Sequence, residues 1–340
     1  MNKRWGCVGI ILLVLLCISG LFNLVFIGAA ISGRGAANTD GRLPQFDEEL
    51  VAKGSGTQPD KITLISLRGV ISSSLGGSEG DSMVDDIKIQ LQQALDDAKV
   101  KAIVLNIDSP GGEVAASDVI YNAVRTARAR KPVVVYMGSL AASGGYYVSC
   151  GGSYLMASDT SLTGSIGVII ETVNYSQLLS KVGVSPVVIK SGNFKDMMSG
   201  ARDMTDDERK YVQGLVNETF AKFCGIVSTE RHIPLDALRP DAPQPIADGR
   251  VISGKDALAK GLIDKLGSME DAIAKAKDLG GAPDAEVVRY KPSFGLGKFF
   301  KMLGESNAAS QSRIEVNLTQ KMMPSLEPGK MYMLPDFYAQ

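Results

Sequence analysis

Short runs of β-branched and aliphatic residues alternate with longer amphipathic stretches from Lys61 onwards. Short apolar runs predict buried strands, and apolar positions that repeat every three or four residues predict helices. Strand–helix alternation of this kind predicts an α/β domain with a largely parallel sheet. The predicted strands are residues 62–67, 102–107, 133–136 and 187–190, and the predicted helices are residues 83–98, 114–129, 205–228, 254–260 and 269–279.

An uncharged apolar segment precedes this domain. No charged residue occurs between Arg4 and Arg34, and about 20 apolar residues suffice to cross a bilayer as a helix. The segment is longer than the apolar core of a cleavable signal peptide, which favours an uncleaved anchor. Residues 28–30, Gly-Ala-Ala, would also fit a cleavage site. Because Lys3 and Arg4 precede the segment, the positive-inside rule predicts a cytoplasmic N-terminus and an extracytoplasmic domain.

The pattern divides the chain into four predicted parts. Residues 1–33 form a cytoplasmic stub and transmembrane anchor, residues 34–60 a linker, residues 61–280 the main domain, and residues 281–340 a C-terminal extension and tail. The linker is rich in Gly, Ala, Asn, Asp and Pro and has no apolar period. The end of the chain, residues 322–340, is rich in Met, Pro and Tyr. It is either a disordered terminus or an extended strand that enters a substrate groove.

Composition narrows the chemistry. The 340 residues carry a net charge of −1 and 45% of them are hydrophobic, which gives no indication of a nucleic-acid partner. The four cysteines form neither a CxxC pair nor a Cys/His cluster, so the sequence predicts no metal site, no disulfide framework and no cofactor. His232 is the single histidine, so a histidine-dependent mechanism would have to use it.

Three glycine-rich segments follow predicted strands, where loops of open α/β sheets carry function. Residues 108–112, Asp-Ser-Pro-Gly-Gly, form either a tight turn or a set of free N–H groups for developing negative charge. In residues 141–146, Ala-Ala-Ser-Gly-Gly-Tyr, Ser143 is either a helix N-cap or a nucleophile. In residues 190–196, Lys195 is either a solvated lysine or, when buried against apolar groups, a neutral base.

If Ser143 is a nucleophile, lysine is the economical base. The sequence around Ser143 does not match the Gly-x-Ser-x-Gly motif of α/β-hydrolases, because Ala141 occupies the first glycine position. A Ser-His-Asp triad would have to use His232, which lies near Pro234 at the end of a charged helix. A Ser/Lys pair needs no histidine, which makes Lys195 the candidate base.

Taken together, the motifs resemble the signal peptide peptidase A family, in its short, single-unit bacterial form. The resemblance covers about residues 61–279, through segments 108–112, 142–146, 163–167 and 191–195 in that order. It implies a crotonase- and caseinolytic-protease-like spiral of ββα units, assembled into homo-oligomeric rings. It also implies a serine endopeptidase that spans a bacterial cell membrane once and degrades remnant signal peptides and other apolar peptides.

The resemblance assigns the site residue by residue. Ser143 matches the nucleophile and Lys195 the general base, both expected from one chain, with neighbours completing the substrate groove. Ser165 matches a serine that orients the lysine, and Gly112 and Gly144 match the backbone amides of the oxyanion hole. Three alternatives stay open: a stomatin-associated-type envelope protease, a crotonase-type acyl-CoA enzyme, and a catalytically silent membrane scaffold.

Overall fold

The chain falls into two units, Met1–Pro44 and Gln45–Gln340. A computed structural model describes residues 13–16, 18–23, 46–55, 59–73, 82–243, 245–292, 331–333 and 335. In the first unit, residues 13–16 and 18–23 are helical. Across the described ranges, none of the helices has both the length and the apolar character needed to cross a bilayer. Most of the predicted anchor, residues 5–33, lies outside the described residues.

A nine-stranded sheet forms the centre of the second unit. Its main path runs β1-β10-β2-β3-β5-β6-β9, and β7 pairs with both β5 and β8. The pairs β1–β10 and β7–β8 are antiparallel, and the other pairs in this sheet are parallel. The predicted α/β class with a largely parallel sheet is therefore confirmed. The described strands are β1 Phe46–Ala52, β2 Lys61–Arg68, β3 Val100–Ser109, β4 Gly112–Glu113, β5 Val133–Ala142, β6 Tyr154–Ala157, β7 Leu162–Gly164, β8 Val251–Ser253, β9 Lys265–Leu266, β10 Glu286–Pro292 and β11 Tyr332–Met333.

Helices connect and cover these strands. Several begin at side-chain caps: the Ser82 hydroxyl accepts from the Asp85 N–H, and Thr205 and Ser268 each begin a capping box. The five helices predicted from periodicity are confirmed to within three residues at each end. The described helices are α1 Met83–Asp96, α2 Val114–Arg128, α3 Gly144–Ser149, α4 Ser176–Lys181, α5 Asp206–Arg231, α6 Gly254–Ala259 and α7 Met269–Leu279, with a 3₁₀ turn at Leu235–Leu238.

Both faces of the sheet are buried. Leu105 and Val135 pack into the larger core, which α1, α2 and α3 also enter, whereas Val104 and Val134 pack on the opposite face against Ala272 and Ala276 of α7. Strands buried on two faces read as continuous apolar runs, which is why β3 and β5 were recognisable from the sequence. Each large aliphatic side chain buried here contributes about 1.5–3 kcal/mol.

The sheet extends past both predicted boundaries of the main domain. β1 lies in the predicted linker, residues 34–60, and β10 lies in the predicted C-terminal extension, residues 281–340. β10 joins β1 to β2 through Val287 and Val288, which are buried. β1 is an edge strand with a single buried residue, Phe46, so it lacks the apolar alternation that would have predicted it.

The predicted strand at residues 187–190 is wrong. These residues belong to neither a helix nor a strand, and all four are exposed. Val187 is 87% exposed and Ile189 is 98% exposed. The apolar run therefore marks a surface of the single chain rather than a part of its core.

Candidate active site

Ser143 lies at the corner between β5 and α3. Its backbone has φ 52° and ψ −114°, a sparsely populated conformation that costs about 1–3 kcal/mol outside glycine. Hydrogen bonds hold it on both sides: its N–H donates to the Gly164 carbonyl at 2.8 Å, and its carbonyl accepts from the Tyr147 N–H at 2.8 Å. A strained residue fixed by its surroundings is characteristic of a functional site. The chain therefore builds a strand-to-helix elbow although Ala141 breaks the usual glycine pattern.

The Ser143 hydroxyl is buried and unpaired. The residue is 1% exposed, and its Oγ has no hydrogen-bond partner among the described residues. Leaving a buried polar group unsatisfied costs about 1–3 kcal/mol. Folding alone gives no reason to accept both this cost and the backbone strain. The hydroxyl is thus available to a group outside the described residues.

Three glycines pack tightly around this corner. A Cβ added to Gly144 would lie 3.1 Å from the backbone nitrogen of Gly112 and 3.1 Å from Cα of Gly111. A Cβ on Gly112 would collide with the carbonyl oxygen of Ile71. The backbones of Gly112 and Gly144 can therefore approach this closely only without side chains, and both lie beside Ser143. Two backbone N–H groups at such a place suit the stabilisation of an oxyanion.

Glu113 fixes the loop that carries Gly112. Its carboxylate is buried and accepts from the Ser72 hydroxyl at 2.8 Å, the Ser73 hydroxyl at 2.6 Å and the Ser73 N–H at 3.2 Å. The Glu113 N–H in turn donates to the carbonyl of Ile71 at 2.8 Å. These bonds tie the glycine loop to residues 71–73. Sequence reasoning missed this role because Glu113 precedes a predicted helix, where an acidic residue is ordinary.

Ser165 lies next to the residue that holds Ser143. It follows Gly164 at the end of β7, has φ 50° and is 3% exposed. Its N–H donates to the carbonyl of Arg250 at 2.8 Å. The structure thus brings four of the five predicted site residues, Ser143, Gly144, Gly112 and Ser165, to one end of the parallel strands.

A cavity of about 600 Å³ opens beside Ser165. Its walls are mostly apolar, with Ile169 on one side and Val216 and Phe220 of α5 on the other. The polar part of the wall comes from Ser165, Asn217, Asp248 and Arg250. The Arg250 guanidinium holds the pKa of the Asp248 carboxyl below its usual value. A cavity of this shape can hold an apolar side chain next to the reacting centre.

A short extended segment of the C-terminal tail pairs with the strand that contains Gly112. β11 pairs antiparallel with β4, placing Met333 opposite Gly112. On its other side, Tyr332 exchanges two backbone hydrogen bonds with Ile169, at 3.0 and 3.1 Å. Within the described part of the tail, residues 331–333 and 335, this is the extended strand that the sequence offered as one of two alternatives. The remainder of residues 322–340 lies outside the described residues.

Lys195 lies elsewhere, on an exposed segment that we call the arm, residues 171–204. Residues 181–195 of the arm are all exposed. The Lys195 side chain makes no hydrogen bond or ion pair with any described residue, and neither does Ser143 Oγ. The structure therefore does not join the two residues within the chain. Several large apolar side chains of the arm are exposed as well: Val173, Leu178, Val182, Val187, Val188 and Ile189.

Comparisons with known proteins identify the family. The model of peptidase family S49 matches residues 125–282, and the Clp protease model matches residues 57–162. The putative signal peptide peptidase SppA of Enterococcus faecium is 34% identical over 310 residues, which cover 86% of this chain and 85% of that protein. The chain belongs to peptidase family S49. The family resemblance drawn from the four ordered motifs is confirmed.

Other S49-type relatives match shorter regions. A putative protease of Methanocaldococcus jannaschii is 40% identical over 205 residues, covering 59% of this chain and 64% of that protein. Protease 4 of Salmonella typhi is 40% identical over 198 residues, covering 57% of this chain but 31% of the longer protein. The names of these relatives agree with the family, and the S49 chain described here is a serine endopeptidase.

The alternative that used histidine finds no support among the described residues. His232 is exposed, ends α5 in a left-handed conformation with φ 55°, and does not contact the Ser143 hydroxyl through a hydrogen bond. Within the described ranges, no group of three or more His, Cys, Asp or Glu side chains is placed to hold a metal ion.

Proposed function

We propose that this S49 endopeptidase uses Ser143 as nucleophile and Lys195 as general base, and that it degrades remnant signal peptides and other apolar peptides at a bacterial membrane. One observation carries the proposal: a strained, buried serine hydroxyl without a partner lies beside two close-packed glycine amides. A peptide segment paired with β4 supports a peptide as the substrate. Main-chain pairing with an exposed strand is a recurrent way of binding extended peptides.

The chemistry proceeds in two stages. Ser143 Oγ attacks the peptide carbonyl while its proton passes to the neutral amine of Lys195. The N–H groups of Gly112 and Gly144 stabilise the oxyanion, each worth about 3–4 kcal/mol by analogy with measured donors. The lysine ammonium then protonates the leaving amine, and water hydrolyses the acyl-serine. In this proposal the Ser165 hydroxyl orients the lysine amine.

A second copy of the chain supplies the lysine in this proposal. Among the described residues, neither the Ser143 hydroxyl nor the Lys195 amine has a partner, and the arm that carries Lys195 exposes several large apolar side chains. Exposed apolar surface of this extent is typical of a protein interface. Docking of the arm on a neighbouring copy would cover these side chains and bring the amine to the hydroxyl. This replaces the expectation that both residues act within one chain.

The proposed substrate and location have separate support. The apolar cavity beside Ser165 suits the aliphatic side chains that dominate signal peptides. The relative from Enterococcus faecium is named a putative signal peptide peptidase. Residues 5–33 have the length and composition of a membrane anchor. An anchored protease with its catalytic domain on the extracytoplasmic side would meet such peptides where they are released.

Complementation tests the proposal directly. Ser143→Ala and Lys195→Ala should each lose peptide cleavage, whereas Lys255→Ala, an exposed lysine of α6, should retain it. Co-assembly of the two inactive variants should restore activity, because some neighbouring pairs then contain both Ser143 and Lys195. Fluorophosphonate labelling of the serine, lost in Ser143→Ala, reports the nucleophile itself. Turnover retained in Lys195→Ala would contradict the dyad. If mixing the two inactive variants restores no activity, Ser143 and Lys195 of each dyad belong to the same chain.

A further inference from the structure

A carboxylate follows the proposed general base in the sequence. Asp196 is the next residue after Lys195, and an opposite charge within about 4–6 Å favours the charged form of an amine. A lysine that pairs with a carboxylate stays protonated and cannot accept the serine proton. The proposed chemistry therefore requires that Asp196 be engaged by some other group.

Two cations occupy both oxygens of this carboxylate. Asp196 Oδ1 accepts from Lys190 Nζ at 2.6 Å and from Arg202 Nη2 at 2.7 Å, and Oδ2 accepts from Arg202 Nε at 2.9 Å. The hydrogen bonds from Arg202 and then from Lys190 hold the pKa of the Asp196 carboxyl far below its usual value. Lys190 also donates to the Asn193 carbonyl at 3.2 Å, which closes the loop that carries Lys195.

Arg202 is itself anchored to the first turn of α5. It donates to both carboxylate oxygens of Glu208, at 2.9 and 2.5 Å. Glu208 is buried and closes the capping box by accepting from the Thr205 N–H at 2.9 Å. Hydrogen bonds from Arg202 and then from Thr205 lower the pKa of Glu208 to about 2. Arginine suits this place because its planar guanidinium can bind two carboxylates at once.

Charged side chains from the Lys195 loop to the first turn of α5 are bonded to one another or to other groups. Phe194 packs against Tyr211 of α5, with 5.7 Å between ring centroids. Asp203 accepts from the Asn174 side-chain amide at 2.6 Å. Within the described part of the chain, five charged side chains are each hydrogen-bonded to a group other than Lys195: Lys190, Asp196, Arg202, Asp203 and Glu208.

We propose that Arg202 is a positioning residue for the general base: with Lys190 it holds Asp196 away from Lys195, so that the amine stays free to accept a proton. This inference rests on the proposed function, in which Lys195 is the base. Arg202 does not touch the reacting atoms and acts only through Asp196 and the loop. Its loss should therefore change how the rate depends on pH, which a purely structural role would not do.

The first test is the pH profile of kcat/KM for Arg202→Gln in the full-length protein. The freed Asp196 carboxylate should favour the protonated form of Lys195, so the acid limb of the profile should move to higher pH. The expected shift is about half a pH unit to one unit, where one unit is a tenfold change in the ratio of protonated to neutral amine. KM should change by less than about twofold, because the substrate groove is untouched. Lys190→Gln leaves the Arg202–Glu208 bridge in place and should give a smaller shift in the same direction.

The decisive step is rescue by neutralising the carboxylate. Asp196→Asn in the Arg202→Gln background should return the acid limb towards that of the wild type and restore most of the rate near neutral pH. The exposed ion-paired arginine Arg289, removed as Arg289→Gln, is the matched control and should leave the profile unchanged. Light scattering should show the same oligomeric state for all variants.

The outcomes separate the two claims. An unmoved acid limb in Arg202→Gln, or a shifted limb that Asp196→Asn does not reverse, overturns the role of Arg202 while leaving the dyad intact. Full turnover in Lys195→Ala overturns the proposed function itself. If Arg202→Gln fails to fold, the Lys190→Gln profile decides, since an unmoved limb there also overturns the inference.

Discussion

Residues 141–152 around Ser143 are all buried, whereas residues 181–195 leading to Lys195 are all exposed. The first region follows a central strand of the sheet and packs glycine against glycine. The second leaves the sheet and carries its apolar side chains outwards. The chain therefore fixes the proposed nucleophile by its own core and leaves the proposed base on a surface. Mutations should act through folding and chemistry in the first region, and through assembly in the second.

The largest contrast is expected between two glycines, one in each region. A Cβ in Gly144→Ala would lie 2.6 Å from Ser117 Oγ and 3.1 Å from the Gly112 nitrogen, so it should displace an oxyanion donor. Loss of one such donor lowers kcat by about 100- to 1,000-fold. Gly192→Ala in the arm meets nothing within 4 Å and should leave the unfolding midpoint unchanged. Steady-state kinetics and thermal unfolding of both variants check this. Equal changes in kcat and in the unfolding midpoint for the two variants would contradict the difference between the two regions.

A charge in the arm should break assembly without unfolding the chain. Ile189→Asp changes a side chain that is 98% exposed, so the unfolding midpoint should stay within the error of the wild type. If a second copy covers this side chain, the oligomer should dissociate and cleavage should fall by at least about tenfold, since burying an unpaired charge costs several kcal/mol. Light scattering measures the first effect. Leu50→Asp on the edge strand β1 is the control, and similar dissociation there would mean that the arm is not the interface.

Removing the tail should speed cleavage by the wild-type site. A chain ending at Lys330 lacks β11 and leaves the edges of β4 and Ile169 free to pair with substrate. We expect a fall in KM of about three- to tenfold with kcat little changed, because the tail competes for the same backbone groups. A synthetic peptide of residues 331–340 should restore the higher KM. An unchanged KM would show that β11 does not compete with substrate.

The smallest expected effect concerns acid stability at the base of the arm. The pKa of Glu208 is lowered to about 2, below the usual value of about 4.3. Its ionised form therefore stabilises the fold above about pH 4.3, and this contribution disappears as the pH falls towards 2. At neutral pH the thermal unfolding midpoint of the wild type should lie a few degrees above that of Glu208→Gln, and this difference should disappear in acid. A gap that does not depend on pH would exclude the charge as its cause.

Sequence reasoning could predict the elements with a clear period and the motif order. β3, β5 and the helices carry strong apolar patterns, and the four ordered segments pointed to the family. It could not predict β1, whose residues are mostly exposed, or the exposure of residues 187–190, because an apolar run does not distinguish a core from an interface.

Within the site, the residues around Ser143 were predictable and their contacts were not. Glycines 112 and 144 stood out by type and place. The collision of a Cβ at Gly112 with Ile71 did not, because it depends on contact between two segments that are distant in sequence. The Ser72–Glu113 hydrogen bond between the same segments joins residues 41 positions apart. The links from Asp196 through Arg202 to Glu208 use residue types that are common on protein surfaces, so the sequence gives no sign of them. The exception is the capping box of Thr205 and Glu208, which has a recognisable Thr-x-x-Glu pattern. In the proposed assembly, the placement of Lys195 relative to Ser143 depends on a neighbouring copy, which a single sequence does not describe.

The pairing of β11 also predicts which peptides could bind in its place. Tyr332 is held by its backbone N–H and carbonyl, both bonded to Ile169, and the carbonyl of Met331 accepts from the Val114 N–H at 3.2 Å. These contacts recognise an extended backbone whatever its side chains, so most sequences that unfold into a strand will fit. Proline lacks the N–H that Ile169 requires. A proline at that position should therefore protect a peptide from cleavage, and prolines spaced along a chain would mark it as resistant.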